Sequence, residues 1–122
     1  MAYLAAGRID EARRHAREAL AISRRLGARG AEAHALCLFG DVASVAGAED
    51  AGGHYREALA LAGQLGMRPT VAHCHLGLGS MASRTGDLGD GRTHLTTATA
   101  MYREMGMDFW LEKAEAALKV VG

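Results

Sequence analysis

Proline occurs once in these 122 residues, and aromatic side chains make up only 5%. With so few chain breakers, and with β-branched residues rarely clustered, nothing competes with helix along the length of the chain. Cysteine is nearly as scarce. Cys37 and Cys74 cannot build a disulfide framework, and two free thiols fit a reducing compartment. Net charge is missing too: fourteen basic residues balance fourteen acidic ones. No global field therefore draws the chain to nucleic acid or to an anionic membrane. Apolar runs are short, well below the roughly 18 residues of a membrane span. Arg8, Asp10 and Glu11 interrupt the start before a secretory apolar core can form. These absences give the expectation of a cytoplasmic protein with neither nucleic-acid nor membrane partners.

What the sequence has is a repeat. Gly27, Gly66 and Gly106 each follow a Leu or Met and lie 39 and 40 residues apart. The same offsets relate Ala12, Ala51 and Gly91; His15, His54 and His94; and Ala19, Ala58 and Ala98. In the other half of the unit, His34, Phe39, Gly40 and Gly47 recur as His73, Leu78, Gly79 and Gly86. A fixed period of this size marks units that each bury an apolar face against their neighbours. The fold class expected is all-α. It comprises a partial repeat 1–27, repeats 28–66 and 67–106, and a terminal helix 107–122.

Spacing locates the helices. From Gly7 to Gly27, Ile9, Ala12, Ala16, Ala19, Leu20, Ile22 and Leu26 fall at intervals of three and four, one face of a helix. Asp10 and Glu11 are placed in its first turn, and Arg24 and Arg25 in its last. Further helices are predicted at 30–46, 49–65, 69–85, 88–105 and 108–120, with Pro69 at a helix start, where its missing N–H costs nothing. The residues before Gly7, Tyr3 among them, read as the end of another helix, so six to seven helices are expected. With neither end fully polar, the chain reads as a piece of a longer protein. Arg13, Arg14, Arg17, Arg24 and Arg25 alternate with Asp10, Glu11 and Glu18 and read as a solvated face.

Within the repeat, Leu36, Phe39-Gly40 and Ala43 resemble the first helix of the tetratricopeptide motif, and His75, Leu78-Gly79 and Ala82 resemble it less closely. Ala51, Tyr55 and Ala58, and then Gly91, Leu95 and Ala98, resemble its second helix. Small residues beside large ones bring helix axes close. No proline ends the second helix, and the unit is longer than the motif's roughly 34 residues, which extends that helix to Leu26, Leu65 and Met105. The run Leu65-Gly66-Met67-Arg68-Pro69, with Val71 to Gly79 and Phe109-Trp110-Leu111-Glu112, is similar to the C-terminal repeats of large bacterial regulatory proteins. Those proteins join a nucleotide cyclase or a regulatory ATPase to the repeats. The resemblance implies a right-handed α-α solenoid that serves a larger signalling protein.

Catalytic chemistry finds no footing. Neither thiol has an evident base and orienting carboxylate, and Gly77, Gly79 and Gly86 have no preceding strand or following Gly-Lys-Ser/Thr to make a phosphate loop. No enzyme activity and no cofactor are expected. A metal sensor using His34, Cys37 and His73 is the least favoured alternative, because repetition explains most of the histidines and because His73 and Cys74 point about 100° apart. The resemblance places His34, Cys37, Asp41, Ser44 and Val45 in a groove, followed by His73, Leu76, Ser80, Ser83 and Arg84, and helical spacing puts each set on one stripe. Mixed polar and apolar groups suit a protein or peptide segment, including the parent's own catalytic part. Family grooves that hold a free carboxylate use several cationic side chains, and only Arg84 is available here. A homodimer through the Tyr3 or Trp110 end is the second alternative.

Overall fold

The computed structural model describes the backbone of residues 2–47 and 50–121 and the side chains from residue 7 on, apart from 48, 49 and 122. Its regular structure is entirely helical: α1 (Ala2–Leu26), α2 (Arg29–Val45), α3 (Ala51–Leu65), α4 (Arg68–Arg84), α5 (Leu88–Met105) and α6 (Asp108–Val121). The predicted ends agree to within a turn, with one correction at the start. The segment before Gly7 is the first part of α1 itself, so Asp10 and Glu11 lie in its middle and its first turn holds no acidic residue. Gly7 reads as a boundary by sequence, but a single glycine is tolerated inside a helix, and α1 runs through it among the helix-favouring Ala2, Leu4 and Ala5. The Tyr3 side chain, expected at an exposed end, lies outside the described residues.

Helix ends follow local chemistry. Gly66 and Gly106 adopt φ of 70° and 68°, the left-handed C-cap that a side chain would strain, and the chain then turns sharply into the next helix. Pro69 sits in the first turn of α4 as predicted. At the start of α5, Asp87 Oδ1 accepts a hydrogen bond from the Asp90 N–H at 3.2 Å.

Each helix packs on the one before it and the one after it. In addition α2 touches α4 and α4 touches α6, whereas among the described residues α1, α3 and α5 make no such contact with one another. The even-numbered helices thus share one side of the molecule. Two apolar clusters hold the stack. The first joins Leu36, Cys37, Tyr55, Ala58, Cys74 and Leu78; the second joins Ala72, Ala98, Tyr102 and Ala114, with Met101, Met105, Met107, Trp110 and Leu111 packed against it. Burying each large apolar side chain contributes about 1.5–3 kcal/mol. Phe39, expected between helix axes, is half-buried and stacks on His54 with ring centroids 4.4 Å apart. No helix among the described residues is long and apolar enough to cross a membrane.

Candidate functional site

The side shared by α2, α4 and α6 carries an open groove of about 500 Å³, floored and walled by His34, Cys37, Leu38, Asp41, Ser44, Val45, Tyr55, Thr70, His73, Leu76, Gly77, Ser80 and Trp110. Eight of the ten residues placed in a groove by sequence line this one space. The other two do not. The Ser83 hydroxyl donates to the Gly79 carbonyl at 3.0 Å and faces Gly91 on α5. Arg84 reaches over the edge of the groove, where its guanidinium donates to the Ser44 hydroxyl.

Five lining residues were not anticipated. Leu38 lies four residues beyond His34, and Thr70 and Gly77 lie three before and four after His73, so the same stripe arithmetic would have found them. Tyr55 and Trp110 come from α3 and α6, and no spacing within a stripe could indicate them.

Tyr55 belongs to the layer behind the groove and is 98% shielded, with 2% of its surface exposed. Its ring passes between α2 and α4 because both present glycine there. A Cβ on Gly40 would stand 2.8 Å from the Tyr55 ring, and one on Gly77 only 2.3 Å from the carbon that bears the hydroxyl. At the end of this passage the hydroxyl donates to Asp41 Oδ1 at 2.5 Å. In the next unit the Tyr102 hydroxyl lies 2.5 Å from His73 Nδ1, and Trp110 meets the same imidazole edge-on at 4.5 Å. Two hydroxyls from the rear layer thus orient two groove side chains.

The electrostatics follow from this shape. Asp41 is open on its groove side, yet the surrounding walls desolvate it and push its carboxyl above the usual range, against the pull of the Tyr55 hydroxyl and of His73 and His34. Burial holds His73 below the ordinary histidine value; Asp41 opposes this and His34 reinforces it. The Tyr55 phenol is raised by burial and by its bond to Asp41, and so remains a neutral donor. In the groove floor, Cys37 is pushed upward by its bond to Cys74 and by burial, which makes it an unreactive packing thiol. Among the described residues no three His, Cys, Asp or Glu side chains are grouped to hold a metal ion; His34, Cys37 and His73 share the groove without forming such a set. A free carboxylate in a pocket with two imidazoles can accept a charged hydrogen bond, while Leu38, Leu76 and Trp110 offer apolar contact.

No family model matches the sequence, and no curated protein shows significant similarity to it.

Proposed function

We propose that the chain is a noncatalytic interaction module of the tetratricopeptide type, a right-handed solenoid that takes a peptide or helical segment of another protein in the α2, α4, α6 groove. The carrying observation is that three separate helices, joined by the reach of Tyr55, contribute to one elongated lining of mixed polarity. The pairing of small with large residues at the motif's offsets supports the tetratricopeptide reading, and the 39-to-40-residue period, longer than the motif's roughly 34, supports a helical repeat stack in general. On the same reading it serves a larger bacterial signalling protein, whose catalytic part is one candidate occupant.

The test is a peptide array of mixed nonamers probed with wild type and with Leu38→Arg. Leu38 is 41% exposed in the groove, so the substitution fills the space without disturbing the core. Peptides retained by wild type and lost by the variant, at unchanged melting temperature, support the reading. An array on which the two proteins bind alike sinks it.

A second reading has its own observation. Phe109 and Val120 on α6 are 64% and 81% exposed, and with Lys113 and Ala116 they form one helical stripe. Such a stripe fits self-association through the last helix. Sedimentation equilibrium decides: a mass that rises with concentration in wild type and not in Phe109→Ser supports it, and a constant monomer removes it.

A further inference from the structure

The repeat makes the groove's special features visible by comparison. At an offset of 39 the scaffold positions are kept, His34 with His73 and Gly40 with Gly79. Three positions are not. Asp41 corresponds to Ser80, Leu38 to Gly77 and, at an offset of 40, Tyr55 to Leu95. In the later unit Leu95 fills its place against Gly79 with a purely apolar side chain, which shows that packing alone requires no hydroxyl there. Where the two units meet, these departures act together. Gly77 vacates the space, Tyr55 passes through it, and its hydroxyl fixes the Asp41 carboxylate.

That carboxylate is the one formally charged side chain in the groove lining. Among the described residues it has no ion pair. Arg84 is held by Ser44 at the groove edge, and Arg8, which borders the notch that Asp41 shares with α1, does not come within salt-bridge distance. A carboxylate has acceptor capacity for about four hydrogen bonds, and a single neutral phenol supplies one donor. A partly desolvated anion gains more from a cation than a solvated one does, because less water competes.

Building on the groove-binding reading, we propose that Asp41 forms a subsite for a cationic side chain, the ammonium of a lysine or the guanidinium of an arginine in the bound peptide, with Leu38, Leu76 and Trp110 packing its apolar neighbours. Charge complementarity selects this occupant over an acidic one. Acidification weakens it: Asp41 on α2 loses its charge and His73 on α4 gains one, with His34 on α2 facing the same space. Tyr55 on α3 and Cys37 on α2 stay neutral, and Arg8 on α1 and Arg84 on α4 border the site.

The experiment uses three pools of nonamers whose central residue is lysine, norleucine or glutamate, with flanks drawn from Ala, Leu, Ser and Val. Binding to the whole chain is read from the fluorescence of Trp110, the single tryptophan, which lines the groove. The lysine pool is expected to bind about tenfold tighter than the norleucine pool. Asp41→Asn should erase that difference. Equal binding of lysine and norleucine pools, or preference for glutamate, overturns the cationic subsite while leaving a peptide groove standing. No binding by any pool overturns both. The comparison of pools on wild type needs no variant, so a folding defect in Asp41→Asn does not obscure the result.

Discussion

At the residue scale the decisive positions are those where a missing side chain lets another through. Gly77 meets the carbon bearing the Tyr55 hydroxyl, and Gly40 lies against the Cδ1 and Cε1 edge of the same ring, so both helices crowd it. Gly77→Ala is expected to cost about 2–3 kcal/mol by overpacking, a fall of about 10 °C in melting temperature. A thermal melt within a couple of degrees of wild type would show that the passage is looser than this. Asp41 is the opposite case. Its carboxyl is raised by desolvation, so the folded chain bears its charge at neutral pH at a cost to stability. Asn can still accept from Tyr55 while removing that charge. Asp41→Asn should therefore melt about 1–4 °C higher at pH 7, a modest gain because the site is half open to screening solvent. A stabilising change that removes peptide selectivity is what a functional rather than structural carboxylate predicts.

Among the elements, the repeated histidines explain themselves once the helices are in place. His15, His54 and His94 each sit one turn after an acidic residue, Glu11, Asp50 and Asp90. They form exposed pairs of small worth. His75, which occupies the place of a bulky apolar residue in the motif, instead meets His94 across α4 and α5, with the two Nδ1 atoms 3.0 Å apart. One neutral ring can donate to the other, but two protonated rings repel. Burial lowers His75, reinforced by His94, and it lowers His73 as well, both from an ordinary 6.5. The unfolded chain therefore takes up protons first. Stability is full above about pH 6.5 and is lost as pH falls through the lowered values, while Asp41, raised from 3.8, offsets part of the loss at the acid end. Melting temperature should drop between pH 7 and pH 5, and His75→Leu should shrink that drop. An unchanged pH profile in the variant would exclude the pair as its source. The caps differ in a similarly readable way. Asp87 holds the Asp90 N–H, whereas Asp50 makes no capping bond to α3. Asp87→Ala should cost about 1 kcal/mol in chemical denaturation, and Asp50→Ala should cost much less.

For the whole molecule, contacts run between neighbours and between successive even-numbered helices, and among the described residues the two apolar clusters share α4 alone. Stability in such a stack is close to a sum of local terms. Removing residues 107–122 uncovers Ala72, Ala98 and Tyr102, so hydrogen exchange should accelerate in α5 while α2 and α3 keep their protection. Uniform loss across the chain would reveal a single cooperative core instead. The sequence by itself determined the helices, the glycine stops at Gly66 and Gly106, the small-large pairing and eight of the ten stripe residues that line the groove. Each of those depends on the 3.6-residue period or on a local backbone preference, and both are written in consecutive residues. It did not show that α1 runs back past Gly7, because a glycine reads locally as a boundary even where a helix passes through it. Only the tertiary structure decided that Tyr55 and Trp110 enter the groove, that Ser83 turns to α5 and Arg84 to Ser44, and that Asp41 stands there with no ion pair among the described residues. Those facts depend on how helices far apart in the chain approach one another, and that distance is set by packing rather than by any period in the sequence.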